Sequence, residues 1–218
     1  MPERQFQVET TFGALDATEL TPDNAKAKLV FCHGAGAGHR HATMQSLAEH
    51  FAEQGLASLR FNFPYMQAGK RRVDNQSTAT QVIAEVFEQT NDGNVPLFLA
   101  GHSFGGRMAS HAAAQGLLDC RALIFCSFPL HQPKKPDIKR AVHLSDIKIP
   151  MLFLSGTRDD LADQELLSGV VANLTSAQLH WIDTANHSYV PLKRTRAHPL
   201  TVFEEMAQEV SRFVDSHL

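Results

Sequence analysis

Six short apolar runs, at 29–32, 57–61, 95–100, 122–126, 151–154 and 179–182, punctuate the chain. Most are near-continuously apolar, with no polar-out alternation, so they read as parallel strands buried on both faces by helices. The stretches between them have helical period. Met44, Leu47, Ala48 and Phe51 share a face, with Gly55 as a stop signal. Ala79, Val82, Ile83, Val86 and Phe87 share another, and Leu200, Phe203, Met206, Val210 and Phe213 form a last stripe after Pro199. Alternating strands and helices predict an open, mostly parallel, doubly wound α/β sheet with right-handed crossovers. The 218 residues fit one domain over 1–218. Fewer than twenty-five residues separate the runs ending at Cys126 and starting at Met151, which leaves no room for a large cap.

Charge and composition exclude several classes. Lys+Arg 20 against Asp+Glu 23 gives a net charge of −3, unlike a nucleic-acid binder driven by counterion release. A hydrophobic fraction of 43% argues against intrinsic disorder. No apolar run approaches the roughly 18 residues of a membrane helix. The first residues lack the apolar stretch of a signal peptide. Cys32, Cys120 and Cys126 are odd in number and lie in or beside apolar runs, which argues against a disulfide framework. A cytoplasmic protein is expected, monomeric or homodimeric, with no nucleic-acid or membrane partner. Twelve histidines raise the question of metal. No H-E-x-x-H occurs, His39 and His41 would point to different sides of a helix, and no cysteine pair has ligand spacing. No metal and no cofactor are therefore expected.

The sharpest motif is Gly101-His102-Ser103-Phe104-Gly105, between an apolar run and the small-residue stretch RMASHAAA. This is the strand–turn–helix setting of a nucleophile elbow, in which glycines two residues either side of the serine avoid collision with neighbouring backbone. A serine hydroxyl needs a base, and the base needs a carboxylate to fix its tautomer. The order serine, acid, histidine follows along the chain at successive run ends. Asp159 in SGTRDD is the expected acid, with Asp160 and then Asp163 as alternatives. His187 in DTANHS is the expected base, since His180 falls within a run and His198 near a helix start. A developing oxyanion needs preorganised N–H donors, each worth about 2.7–4 kcal/mol in the transition state. Phe104 N–H is one. The other is expected in the loop His33-Gly34-Ala35-Gly36-Ala37-Gly38, from Ala35, with Gly34 or Gly36 as alternatives. That loop lacks G-x-G-x-x-G, a following Lys-Ser/Thr and a ribose acid, so it does not read as a nucleotide site.

These residues resemble the α/β-hydrolase superfamily. The likeness is strongest to a small, capless group similar in size to dienelactone hydrolases. That group includes a testis-expressed protein and a subunit of the non-specific-lethal histone acetyltransferase complex. The segments that carry it are HGAGAG, RFNFPYMQAGKRRVD, GHSFGGRMAS, FPLHQPKKP, SGTRDD and ANHSY, which run from about Leu29 to the end of the chain. The resemblance implies Ser103 as nucleophile, Asp159 as acid and His187 as base. It also implies that Asn62, Tyr65, Arg71 and Arg107 shape the substrate site. Members of the group often carry Lys and Met around the elbow serine. His102 and Phe104 in those places look more like an ordinary esterase.

The expected activity is hydrolysis of carboxylic esters or thioesters of small to medium acyl groups, through an acyl-enzyme on Ser103. The alternatives are a non-catalytic interaction module on the same fold, or an acyltransferase or peptidase using the same triad. His33 and His102 would flank the oxyanion loop and the nucleophile, and His131 would reach the site from the long loop. Gly34, Gly36 and His102 would contact substrate. Lys70, Arg71, Arg72, Lys134 and Lys135 would attract an anionic substrate or serve solubility. The other eight histidines read as surface or helix-end residues.

Overall fold

The computed structural model describes residues 3–218. Among them one eight-stranded sheet has the order β1-β2-β4-β3-β5-β6-β7-β8. Its strands are β1 (Glu3–Thr10), β2 (Gly13–Leu20), β3 (Ala27–Cys32), β4 (Leu56–Phe61), β5 (Leu97–His102), β6 (Leu123–Cys126), β7 (Met151–Gly156) and β8 (Ala177–Ile182). From β4 to β8 every neighbouring pair is parallel, whereas β1–β2 and β2–β4 are antiparallel. The six apolar runs are the six parallel strands. The antiparallel β1–β2 hairpin was not foreseen: ERQFQVET alternates polar and apolar residues, and β1 is mostly exposed, as an edge strand tolerates.

The continuous apolar runs follow from burial on both faces. Val30, Leu99, Phe125 and Phe153 point to one side and join a core with α3 (Gln76–Thr90) and α4 (Phe104–Ala114). Leu29, Phe31, Phe98, Ile124 and Leu152 point to the other and pack with α1 (Ala42–Glu53) and α6 (Val202–Asp215). With successive side chains on opposite faces, both parities must be apolar.

Two further helices, α2 (Pro64–Gln67) and α5 (Gln164–Ala172), and a 3-10 turn over Lys139–Asp146 complete the layers. The last apolar stripe begins one turn later than expected. Thr201 accepts from Glu204 N–H, and the Glu204 side chain accepts from Thr201 N–H, so this capping box starts α6 at Val202 and leaves Leu200 outside. The long connection 128–149 is anchored rather than loose. Its Phe128, Leu130, Leu144 and Ile147 are buried.

Strands β3 and β5 are neighbours although β4 and three helices separate them in sequence. The chain reverses its direction of travel across the sheet there. In open α/β sheets the carboxyl ends of strands at such a point form a binding crevice. The 33–38 loop leaves β3 and Ser103 follows β5 at that edge, while Asp159 follows β7 and His187 follows β8.

Candidate active site

Ser103 has φ 50° and ψ −113°, a left-handed conformation that a non-glycine residue adopts only under constraint. Three contacts impose it. Ser103 N–H donates to the Cys126 carbonyl at 2.9 Å. A Cβ on Gly101 would fall 2.3 Å from Gly106 N, and one on Gly105 2.5 Å from the Cys32 carbonyl oxygen. Only glycine permits so close an approach of helix, strand and turn. Helix α4 starts here with no side-chain cap, so the Phe104 N–H at its first position has no intrahelical partner.

The three residues expected from chain order meet. His187 Nε2 is 2.8 Å from Ser103 Oγ. His187 Nδ1 is 2.8 and 2.9 Å from the two Asp159 carboxylate oxygens. The carboxylate can only accept, so Nδ1 carries the proton and Nε2 accepts from the serine hydroxyl. Asp159 is buried and also accepts from Leu161 N–H at 2.8 Å. The two alternatives lie elsewhere. Asp160 is exposed, and Asp163 caps α5 by accepting from Leu166 N–H.

The 33–38 loop, where the second oxyanion donor is expected, is braced from beneath. His33 is fully buried, and its Nε2 accepts from Phe63 N–H at 3.0 Å. Its proton therefore sits on Nδ1, which donates to the Gly34 carbonyl at 2.8 Å. Burial lowers the imidazole to about 4. The Tyr65 hydroxyl adds bonds to the Ala35 carbonyl at 2.9 Å and the Gly34 carbonyl at 3.3 Å. The peptides are trans, so an N–H points opposite its own plane's carbonyl. With the Gly34 and Ala35 carbonyls turned down onto His33 and Tyr65, the Ala35 and Gly36 N–H groups face away from them. Ala35 and Gly36 are exposed, whereas Gly34 is buried.

A family profile described as alpha/beta hydrolase domain matches residues 25–215. The chain belongs to that family. Solved structures share the fold across the whole chain. An alpha-beta serine hydrolase homologue from Coxiella burnetii is 19% identical with TM-score 0.75, covering 100% of this chain and 98% of that one. A dienelactone hydrolase from Anabaena variabilis is 18% identical with TM-score 0.76, covering 100% and 98%. A serine hydrolase without lid from Xanthomonas campestris is 19% identical with TM-score 0.77, covering 100% and 97%. This α/β hydrolase likewise has no large cap: the segments that flank its elbow are the short 64–75 and 127–150 connections.

Several residues expected at the substrate surface of this hydrolase have side chains committed to internal contacts. Tyr65 is buried, its ring packed edge-on to Phe104 with centroids 6.1 Å apart. Asn62 spends its side chain on neighbours: Oδ1 accepts from His39 N–H at 3.1 Å and His39 Nδ1 at 2.9 Å, and Nδ2 donates to Gln67 at 3.1 Å. His102 lies behind His187, with ring centroids 5.7 Å apart, and its Nε2 reaches the His187 carbonyl at 3.4 Å. Burial, and then the neighbouring His187, lower His102 to about 4. His131 is buried, and both of its ring nitrogens are occupied. Nε2 accepts from Asp163 N–H at 2.9 Å, so Nδ1 donates to the Gln132 carbonyl at 2.9 Å. Arg71 is exposed and forms no side-chain bond among the described residues. Arg107 is partly buried, one turn from Ser103.

Of the other eight histidines, expected as surface or helix-end residues, His39 departs from the expectation, whereas His111 and His143 stand in the last turns of α4 and of the 139–146 turn. His39 is buried. His180 Nε2 lies 2.7 Å from the buried Glu205 carboxylate, and His111 and His143 stack with centroids 3.6 Å apart.

Residues that position His187 are not evident in the sequence. A Cβ on Gly156 would lie 2.2 Å from the Ala185 carbonyl oxygen, so the acid turn and the histidine loop touch backbone to backbone. Arg158 N–H donates to that same carbonyl at 2.9 Å. Buried Tyr189 donates its hydroxyl to the Leu154 carbonyl at 2.9 Å, and Asn186 Oδ1 accepts from the N–H groups of Ser188 and Val190. Arg196 pairs with Glu205 and donates to the Asp183 carbonyl at 2.9 Å, tying the loop that bears His187 to α6. The available signal was the tyrosine count: the chain has only two, and a buried phenol needs a partner for its hydroxyl.

Proposed function

We propose that the protein is a serine hydrolase, a single domain over 1–218, that cleaves carboxylic esters or thioesters of small to medium substrates. The observation that carries this is the continuous relay from Asp159 through His187 to Ser103, with both hydrogen-bonded steps at 2.8 Å. The Ser103 oxygen adds to the substrate carbonyl carbon as its proton passes to His187 Nε2. The resulting imidazolium keeps its Nδ1–H on Asp159, whose charge stabilises it. The tetrahedral oxyanion takes donors from Phe104 and Ala35, whose N–H groups need no rearrangement to meet it. Collapse breaks the bond to the leaving oxygen or sulfur, which departs with the proton held by His187. Water then attacks the acyl-enzyme, its proton going to His187. The acid leaves and Ser103 regains its hydrogen.

Proteins that share this fold include a dienelactone hydrolase from Anabaena variabilis and an esterase domain from Rhodothermus marinus, which supports an acyl ester as the favoured substrate class here. The strained serine also argues against a purely structural module. A φ of 50° with ψ −113° at a serine costs on the order of 1–3 kcal/mol, and this strained turn holds the hydroxyl at the head of α4 within hydrogen-bond reach of His187.

The test is steady-state hydrolysis of a panel of p-nitrophenyl esters and acyl thioesters by wild type and Ser103→Ala. Turnover of at least one short-chain member, lost by 10³-fold or more in folded Ser103→Ala, supports the proposal. Equal rates in the two proteins overturn it.

A further inference from the structure

Helix α4 carries a second polar cluster one turn below the serine. Arg107 N–H donates to the Ser103 carbonyl at 3.0 Å, so Arg107 stands on α4 one turn after the serine. The Arg107 side chain is partly buried, on a helix that packs against the 139–146 turn of the 127–150 connection. The neighbour that acts on it is another cation, Arg140, which is fixed by donating to the carbonyls of His131 at 3.0 Å and Pro129 at 3.4 Å. Beside them lie the stacked rings of His111 and His143. Ser110 gives its single proton to the Arg107 carbonyl at 2.7 Å, so His143 Nε2–H must donate to Ser110 Oγ, also at 2.7 Å. Burial holds both imidazoles neutral, at about 4.

Four basic side chains therefore converge, yet among the described residues no carboxylate comes within ion-pair distance of Arg107 or Arg140. Elsewhere in the molecule buried cations are compensated: Arg60 meets Glu3 at 2.7 Å, and Arg196 meets Glu205. The Arg107 guanidinium is only partly buried and forms no side-chain hydrogen bond among the described residues, so its N–H fork is free to meet an incoming anion. A leucine or methionine would fill the place of Arg107 at no electrostatic cost. The exposed cations of the 64–75 and 127–150 connections, Lys70, Arg71, Arg72, Lys134 and Lys135, face solvent and do not raise this question.

We infer that Arg107, backed by Arg140, is an anion subsite that receives a carboxylate carried by the substrate about one helical turn from the reacting carbonyl. A guanidinium fork matches a carboxylate with two parallel bonds. This deepens the serine-hydrolase proposal and rests on it. The preferred substrates would be esters that bear a free carboxylate, on either the acyl or the leaving side.

The test compares kcat/KM for charged and neutral partners of equal length. On the acyl side the pair is the mono-p-nitrophenyl ester of glutaric acid against p-nitrophenyl valerate. On the leaving side it is 4-carboxyphenyl acetate against phenyl acetate. At least one charged-to-neutral ratio is expected to exceed tenfold in wild type and to fall toward one in Arg107→Met, with Arg107→Lys between. Ratios at or below one for both pairs in wild type overturn the subsite, and so does a ratio that Arg107→Met leaves intact. If Arg107→Met does not fold, the wild-type ratios and Arg107→Lys still decide. A catalysis-free arm separates this from failure of the parent proposal. Glutarate should bind Ser103→Ala and should bind Ser103→Ala/Arg107→Met at least tenfold more weakly. Inactivity toward every ester with Arg107-dependent glutarate binding would sink the hydrolase proposal and keep the subsite. Ester turnover without that binding would do the reverse.

Discussion

The Tyr65 hydroxyl donates to the Ala35 carbonyl at 2.9 Å and so fixes the far side of the peptide whose neighbouring N–H groups would hold an oxyanion. Tyr65→Phe keeps the buried ring and removes only the hydroxyl, whose one proton is shared between the Ala35 and Gly34 carbonyls. A single net hydrogen bond is worth about 1 kcal/mol, which corresponds to a melting-temperature loss of about 2–4 °C in a protein of this size. We expect kcat to fall about tenfold with KM changing much less, because the loop would act mainly in the transition state. Steady-state kinetics and a thermal melt check both parts.

Asp159 and Asp160 are adjacent in sequence and opposite in setting: the first is buried against His187, the second exposed. Asp159→Asn replaces an acceptor by an amide that can present a donor to Nδ1, favouring the wrong tautomer. A loss in kcat on the order of 10³–10⁴ is expected. Asp160→Asn should stay within about threefold. A larger effect from Asp160 would mean that the acid turn has been assigned one residue out.

Gly156 and Gly169 make a matched pair. An added methyl on Gly156 meets the Ala185 carbonyl oxygen at 2.2 Å, whereas one on Gly169, at an exposed position of helix α5, meets nothing within 4 Å. Gly156→Ala should destabilise by about 1–3 kcal/mol and lower activity further by displacing the loop that carries His187. Gly169→Ala should stabilise by about 0.4–1 kcal/mol. Chemical denaturation of both variants tests the contrast.

His33 and His102 are both lowered from 6.5 to about 4, chiefly by burial. The unfolded chain therefore binds more protons than the folded one between pH 6.5 and 4. Their contribution to stability is fully present above pH 6.5 and is lost as pH falls toward 4. A melting temperature measured at pH 5 should lie below that at pH 7, with net proton uptake on unfolding at pH 5. Equal melting temperatures, or proton release, would contradict these neutral buried imidazoles.

The parallel strands and the three site positions were legible because both rest on strong local signals. Runs such as LVFC and LIFC cannot face water on either side, and serine, acid and histidine each stand just past one. The β1–β2 hairpin was not legible, since polar edge strands lack such runs. The supporting residues were hidden for a different reason. Whether His131 touches substrate depends on Asp163, 32 positions away, which takes up its Nε2. Whether Gly156 is needed depends on Ala185. Such pairings are set by which loops the sheet brings together, and no single segment announces them. Arg71 is the converse: its sequence context suggested the site, yet its side chain stays in solvent.

The central claim is that Ser103 is an activated nucleophile. Its most direct measurement is covalent labelling by a fluorophosphonate, with the modified peptide identified by mass spectrometry. The relay predicts one adduct, on the peptide containing Ser103, absent in Ser103→Ala and slowed at least 100-fold in His187→Ala. A folded wild-type protein that takes no label, or takes it at another residue with Ser103→Ala unaffected, would contradict the account.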